Sequence, residues 1–164
     1  MLKKLRVEEK SGCVYRSEDT SCCAMFVIPK LDAPSKPRYI NNLVKRNKET
    51  ELQPALIPSQ FLIRKAVATH PFRSKIKISD GYHTLRVHSS NKKYTTFSTP
   101  YGTYRTRVMQ QGDCNTPPIF ENIMNNLFKH ELEISVYIYI DDIFIFSKTY
   151  KKHLHHGRTV LQRL

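Results

Sequence analysis

Two adjacent carboxylates, Asp141 and Asp142, lie in the most apolar segment of the chain, VYIYIDDIFIFSK, at residues 136–148. Like charges this close repel, and burying either one unpaired is costly or forces it to take up a proton. One interpretation is a tight hairpin turn, in which aspartate is a common residue. The other is chemical, because carboxylates at the tip of a rigid hairpin can hold Mg²⁺ against phosphates. Two such ions, about 4 Å apart, would activate a hydroxyl group and stabilise a leaving pyrophosphate.

The strands that flank the doublet must position it. We expect a hairpin built from residues 134–140 and 143–146, with the two aspartates at its tip. Alternate side chains of a strand share a face, so Tyr137, Tyr139 and Asp141 lie together and can look into a cleft. The opposite face is aliphatic and is predicted to pack against a helix: Ile134, Val136, Ile138 and Ile140.

The charge balance favours a polyanionic partner. The 164 residues include 27 Lys and Arg against 14 Asp and Glu, which gives a net charge of +13. Nucleic acid is the simplest partner for such a chain, and the alternative is a basic protein without one. Hydrophobic residues make up 40% of the chain, which excludes a disordered tail and allows a real core.

Membrane and secretory signals are not visible. No apolar run approaches the roughly 20 residues that a membrane span needs, and the N-terminal MLKKLRVEEKSG lacks the apolar stretch of a secretory signal. The cysteines, Cys13, Cys22, Cys23 and Cys114, form no C-x-x-C pair, so neither a zinc site nor a disulfide is predicted. We therefore expect reduced thiols in an intracellular protein, without a distinction between cytoplasm and nucleus.

The hydrophobic pattern predicts groups of strands that alternate with helices. Strands are expected at residues 23–29, 38–43, 75–79, 94–99 and 104–109, and helices at 59–70, from 117 and from 150. A basic loop joins the first two strands into a finger, and residues 1–20 are expected to form a polar lead-in. The inward faces of the first two helices are predicted to be Phe61, Leu62, Ala66 and Val67, then Phe120, Ile123, Met124, Leu127 and Phe128. Antiparallel hairpins mixed with helices indicate an α+β fold.

Several blocks of the sequence resemble one family. YIDD at residues 139–142, followed by IFIFSK, is similar to the catalytic hairpin of reverse transcriptases, and more narrowly to long-terminal-repeat retrotransposons of the Ty3/gypsy group. FVIPKLDAPSKPRYINNLVKRN resembles the finger block of that family, and SKIKISDGYHTLRV resembles its first palm block. FSTPYGTYRTRVMQQGDCNTPPIFENIMN resembles the block that follows. The blocks occur in family order, and the resemblance covers roughly residues 20–164.

The resemblance implies a right-hand polymerase fold with fingers and palm only, in which an antiparallel palm sheet packs on helices. Residues 21–164 would form this region, and the thumb, connection and RNase H regions are not expected in the chain. The implied function is that of an RNA-directed DNA polymerase, which transfers nucleotides to a primer 3′-hydroxyl with Mg²⁺. The implied partners are a primer-template nucleic acid and deoxynucleoside triphosphates.

Matched positions suggest roles for single residues. The resemblance implies that Asp141 and Asp142 are catalytic and bind the metal. Arg38, at the end of the finger loop, would contact the incoming triphosphate as a bidentate cation. Lys30 or Lys36 would add a second positive contact, and the loop length leaves the choice between them open.

The remaining matched positions surround the incoming nucleotide. Asp80 and Gly81 would present backbone N–H groups to the triphosphate. Tyr82 would lie under the sugar and exclude a 2′-hydroxyl. Gln111 and Gly112 would pack near the 3′-hydroxyl of the nucleotide. Without the resemblance, the better explanations are a core aromatic residue for Tyr82, a surface cation for Arg38 and a polar loop residue for Gln111.

One family carboxylate is missing. The family pattern K-[IL]-D-L-x-x-[AG]-Y reads KIKISDGY at residues 75–82, so Lys77 occupies the position of the first catalytic aspartate. Asp80 lies at an odd offset from Lys77 and is not expected to replace that ligand. Lys77 is instead expected to pair with Asp141 and to repel Mg²⁺. The resemblance therefore predicts a truncated, partly degenerate copy with impaired activity, and two alternatives remain: a dead remnant that binds nucleic acid, or an unrelated basic α+β protein.

Overall fold

The computed structural model describes residues 1–29, 37–54 and 57–164. The basic tip of the predicted finger, with Lys30 and Lys36, lies outside the described residues. The chain divides into two units, and each is described by itself. The first unit comprises Met1–Leu52 with Tyr82–Thr116, and the second comprises Gln53–Gly81 with Pro117–Leu164.

Strands and helices alternate along the described chain, as the sequence pattern predicts. The strands are β1 (Val14–Arg16), β2 (Cys23–Ile28), β3 (Arg38–Asn41), β4 (Phe72–Lys77), β5 (Thr96–Thr99), β6 (Gly102–Thr106), β7 (Val136–Tyr139) and β8 (Asp142–Ser147). The α-helices are α1 (Leu2–Lys10), α2 (Val44–Glu49), α3 (Gln60–Thr69), α4 (Thr116–Leu127) and α5 (Tyr150–Arg163). Two 3₁₀ helices span Gly81–Thr84 and Ser89–Thr95. The predicted α+β class is confirmed.

The first unit is built on a five-stranded sheet in the order β1-β6-β5-β2-β3. The predicted hairpin of β5 and β6 and the predicted finger strands β2 and β3 are both present as antiparallel pairs, while β2 and β5 run parallel. The segment predicted to be a polar lead-in contributes α1 and β1, and β1 pairs with β6. Leu5 of α1 and Val14 of β1 are buried with Phe97 and Tyr104. The burial of these two apolar side chains and the pairing of β1 with β6 therefore anchor this polar segment to the sheet.

The second unit is built on an antiparallel sheet in the order β4-β8-β7. The central strand β8 contacts both α3 and α5. On β7, Val136 and Ile138 are completely buried, which confirms the predicted aliphatic face. Ile134 is an exception and is 73% exposed, because it belongs to the turn that precedes β7 rather than to the strand.

The predicted inward faces of two helices need correction. The predicted cap of α3 is present, since the Ser59 hydroxyl accepts a hydrogen bond from the Phe61 N–H. However, Phe61 is 70% exposed, and α3 turns Ile63 inward instead. In α4, Ile123 is exposed and the fully buried Glu121 faces inward. Apolar residues adjacent in sequence cannot all face the sheet, because successive residues of a helix are about 100° apart.

In the described part of the chain, no helix combines the length and the apolar character that crossing a membrane requires.

Candidate active site

The aspartate doublet lies at the hairpin between β7 and β8, as predicted. Ile140 and Asp141 form the turn, and Asp142 is the first residue of β8. Ile140 has a φ of 56°, which is a rare conformation for a β-branched residue. The Asp141 carbonyl accepts a hydrogen bond of 2.8 Å from the N–H of Ile78, just beyond the end of β4. The carboxylates are therefore attached to a turn that is held from a neighbouring strand.

The tyrosine face of this hairpin is partly covered. The Tyr137 ring stacks on Phe146, with the ring centroids 5.6 Å apart. The Tyr139 hydroxyl accepts a hydrogen bond of 2.8 Å from the side-chain amide of Gln60 in α3. Both tyrosines are half-buried, and the stack of Tyr137 on Phe146 joins diagonal neighbours on the sheet, which lie within reach of aromatic side chains.

Two lysines of β4 face the doublet. Lys77 lies directly opposite Asp142 in the β4–β8 register. The direct ion pair is made by Lys75, whose Nζ lies 2.7 Å from Oδ2 of Asp142. This ion pair corrects the prediction that Lys77 pairs with Asp141. Lys77 instead acts on Asp141 through its positive charge, which lowers the pKa of the Asp141 carboxyl. Because strand side chains alternate, residues 75 and 77 present their charges on one face.

Burial is the dominant influence on the ionisation of Asp141. It raises the pKa of the Asp141 carboxyl above its ordinary value, while Lys77 opposes this shift and Asp142 adds to it. The net effect disfavours the charged form of Asp141, even though a lysine stands nearby.

This shift predicts how stability depends on pH. The folded pKa of Asp141 lies above the unfolded value, so the contribution of this group to stability is lost as pH rises through the interval between the two values. We expect Asp141→Asn to match the parent chain below about pH 3 and to be the more stable of the two at neutral pH. Urea unfolding of both chains across this range measures the difference. If the difference in stability between the two chains does not change with pH, the raised pKa of Asp141 is contradicted.

Asp80 and Gly81 follow β4 in a tight turn. Asp80 has a φ of 52°, and Gly81 is buried. A Cβ atom added to Gly81 would lie 2.8 Å from Cζ of Phe120 and 3.0 Å from Cγ2 of Ile78. Glycine is therefore required here by close packing. Among the described residues, no group of three or more His, Cys, Asp or Glu side chains is placed to hold a metal ion.

The packing at Gly81 yields a direct prediction. Gly81→Ala is expected to destabilise the chain by about 1–3 kcal/mol, because it overpacks a site that is already full. Gly157→Ala is the matched control, because a Cβ at this position of α5 meets nothing within 4 Å. It is expected to stabilise by about 0.5–1 kcal/mol, since alanine is the better helix former. Urea unfolding of both variants measures the change in the free energy of unfolding. If Gly81→Ala leaves that free energy unchanged, Phe120 moves aside freely.

The other predicted site residues belong to the first unit. Arg38 is the exposed first residue of β3, and Tyr82 lies half-buried in the 3₁₀ helix Gly81–Thr84. Gln111 and Gly112 are exposed in a turn, where Gly112 has a φ of 94°. The structure therefore places Asp141 and Asp142 beside lysines of β4 in the second unit. Arg38, Tyr82, Gln111 and Gly112 belong to the first unit.

Two residues that support this turn were not predicted. Asn47 of α2 donates a hydrogen bond of 3.0 Å to the Gly112 carbonyl and accepts one of 3.1 Å from the Cys114 N–H. Arg46 forms an ion pair of 2.8 Å with Asp113. Nothing in the local pattern of α2 links it to a turn so far along the chain, so only the tertiary structure reveals this support.

The residues at the doublet do not fit a pair of Mg²⁺ ions. Two carboxylates and two ammonium groups balance to zero net charge, and Lys75 already occupies Oδ2 of Asp142. The other oxygen of that carboxylate, Oδ1, is buried without a hydrogen-bond partner. The Asp142 carboxylate is therefore a poor ligand group for a divalent cation, which needs several accessible oxygen ligands.

Comparison with known proteins identifies the family. Residues 29–164 match the family described as reverse transcriptase (RNA-dependent DNA polymerase), and the chain belongs to it. The chain is 30% identical over 159 residues to the putative enzymatic polyprotein of Cassava vein mosaic virus, and 28% identical over 159 residues to the transposon Tf2-3 polyprotein of Schizosaccharomyces pombe. These alignments cover 95% and 94% of this chain, but only 24% and 12% of the relatives. The predicted resemblance to retrotransposon reverse transcriptases is confirmed.

Solved structures show the same fold. The native protease-reverse transcriptase of prototype foamy virus matches 98% of this chain and 21% of that one, with a TM-score of 0.84 and 20% identity. The foamy viral protease-reverse transcriptase in complex with an RNA/DNA hybrid matches 98% of this chain and 21% of that one, with a TM-score of 0.87 and 21% identity. The predicted fold of reverse transcriptase fingers and palm is therefore confirmed, and the chain spans about a fifth of these structures.

Proposed function

We propose that this chain is the fingers and palm region of an RNA-directed DNA polymerase whose nucleotidyl transfer is severely impaired. Membership of the reverse transcriptase family supports the reaction class. One observation carries the impairment: Lys77 stands directly opposite Asp142, at the position where the family has its first catalytic aspartate. A positive charge there repels a metal ion and supplies no ligand.

The cofactor of the proposed reaction is Mg²⁺, and we infer that this chain holds it weakly. Lys75 and Lys77 neutralise the two carboxylates that would attract the ion. Burial also raises the pKa of Asp141, which disfavours the charged form that would attract a cation.

The triphosphate of the incoming nucleotide is proposed to contact Arg38, Asp80 and Gly81. Arg38 is exposed, and its guanidinium group suits bidentate contact with phosphate oxygens. The positive φ of Asp80 turns the chain sharply before the 3₁₀ helix Gly81–Thr84. Successive backbone N–H groups in such a turn favour anions.

The sugar of the nucleotide is proposed to contact Tyr82, Gln111 and Gly112. Tyr82 would act as a steric gate against a 2′-hydroxyl, and the turn at Gln111 would lie near the 3′-hydroxyl. Asn47 donates one hydrogen bond to the Gly112 carbonyl and accepts another from the Cys114 N–H, and these bonds support this role because they hold the turn in one conformation.

Primer extension by the unaltered chain tests the proposal. The assay uses a DNA primer annealed to an RNA template with Mg²⁺ and all four deoxynucleoside triphosphates. We expect no extension above the background without protein. Extension at the rate of a working polymerase, on the order of 1–100 turnovers per second, would show that Lys77 does not impair the site.

A second candidate function is nucleic-acid binding without catalysis. The net charge of +13 supports it. So does a cavity of about 710 Å³ in the first unit, whose lining includes Lys45, Arg46, Lys48 and Lys93. Tyr94 also lines this cavity and offers an aromatic surface for a base. Structures of the foamy viral enzyme hold double-stranded DNA and an RNA/DNA hybrid, and we propose a primer-template as the partner here as well.

An intracellular location is part of the same proposal. The four cysteines, Cys13, Cys22, Cys23 and Cys114, carry free thiols. Burial raises the pKa of the Cys23 thiol, which keeps it in its less reactive form.

A further inference from the structure

Glu121 of α4 is a charged residue in the core of the second unit. Its side chain has no exposed surface at all, and Phe120 and Met124 of the same helix are buried beside it. Glutamate is almost never fully buried without a partner. A hydrophobic residue at this position would avoid the cost of desolvation, so the carboxyl group has a task that an apolar side chain cannot perform.

The partner of Glu121 is the turn of the catalytic hairpin. Its Oε2 accepts a hydrogen bond of 2.9 Å from the backbone N–H of Ile140. Ile140 is the residue with a φ of 56°, and it immediately precedes Asp141. This conformation is strained for a β-branched residue and persists only where surrounding contacts impose it.

The second oxygen of Glu121, Oε1, is buried and has no hydrogen-bond partner among the described residues, so the hydrogen bond that the structure gives this carboxyl group is the one from the Ile140 N–H. Burial raises the pKa of Glu121, while the hydrogen bond from Ile140 lowers it. A neutral carboxyl group retains its carbonyl oxygen as an acceptor, so the contact does not require a further negative charge beside the aspartate doublet.

We propose that Glu121 is a positioning residue that holds Ile140 in its left-handed conformation and thereby aims the carboxylates of Asp141 and Asp142. The hydrogen bond from the Ile140 N–H to Glu121 fixes the backbone of the residue that immediately precedes the aspartate doublet. The consequence for nucleotidyl transfer rests on the proposed function, whereas the positioning itself does not.

Two variants separate this role from simple core packing. Glu121→Gln retains an acceptor oxygen of the same reach, and Glu121→Met retains the bulk and removes the acceptor. NMR supplies two measurements that need no polymerase activity: hydrogen exchange of the Ile140 amide, and the carboxyl ¹³C shifts of Asp141 and Asp142.

We expect Glu121→Met to speed exchange of the Ile140 amide by roughly three- to tenfold, the effect of losing one hydrogen bond. It should also move both carboxyl shifts, while Glu121→Gln leaves exchange and shifts close to the parent. Unchanged exchange in Glu121→Met, or a uniform increase across β7 and β8, would overturn the proposal.

A third variant keeps the proposal testable if Glu121→Met does not fold. If Glu121→Met does not fold, Ile140→Gly is added to it, because glycine adopts a positive φ without steric cost. Restored folding supports the proposal, and a double variant that stays unfolded overturns it. Since none of these readouts involves primer extension, extension by the unaltered chain would refute the proposed impairment alone and would leave the positioning role of Glu121 unaffected.

Discussion

Replacement of Lys77 by aspartate is expected to raise the rate of primer extension by roughly 100-fold or more over the unaltered chain, because metal capture and in-line geometry both depend on the carboxylate set. Lys77 lies directly opposite Asp142 in the sheet, so an aspartate there would bring a third carboxylate to the doublet. The same change removes an ammonium group that acts on Asp141. The measurement is single-turnover extension of a primer on an RNA template with Mg²⁺.

The matched control is Lys77→Met, which removes the charge and adds no ligand. It separates electrostatic repulsion from the missing carboxylate. We expect its extension rate to stay close to that of the parent chain. Equal activation by Lys77→Met and Lys77→Asp would show that repulsion alone limits the chain. If neither variant extends the primer while binding persists, the nucleic-acid-binding proposal is favoured over catalysis.

Binding to a primer-template duplex is expected to weaken by roughly 100-fold between 50 and 200 mM salt, if about four phosphates are neutralised. Each lysine or arginine that contacts a phosphate releases condensed counterions, and added salt opposes that release. The cavity of the first unit offers cations of the required kind. Fluorescence anisotropy with a labelled duplex, repeated at several salt concentrations, gives the slope.

Single substitutions locate the contacts. Lys45→Gln and Lys48→Gln are each expected to reduce the salt slope by about one, because each removes one phosphate contact. Lys151→Gln is the matched control, since Lys151 is an exposed lysine of α5 in the second unit and does not line this cavity. A slope near zero for the parent chain would argue against nucleic acid as the partner. Equal losses for all three variants would place the interface elsewhere.

Much of the local structure follows from local patterns. The hairpin around Asp141 was predictable because β-branched and aromatic residues flank the doublet on both sides. The start of α3 was predictable because Ser59 can accept a hydrogen bond from the helix it precedes. The start of α4 followed from Pro117, which suits the first turn of a helix. These signals act over a few residues, so one sequence is sufficient to recognise them.

The contacts around the aspartate doublet were harder to predict from the sequence. The sequence pattern identified Lys77 as the departure from the family, but the direct ion pair of Asp142 is with Lys75. Which lysine reaches which carboxylate depends on the register of β4 against β8, and a strand pattern fixes the face of a side chain without fixing its partner. The supporting contacts of Asn47 have the same origin, since they join α2 to a distant turn.

By itself, the sequence determined the class of fold and the family, and it supplied the prediction that Lys77 replaces a carboxylate, because these depend on residue types in a fixed order. Only the tertiary structure decided that Glu121 faces inward and holds Ile140, and that Phe61 faces solvent. A helix with several apolar residues offers more than one inward face, and the choice is made by the surface on which it packs. The turn at Ile140 thus makes a contact with α4 that no local pattern specifies.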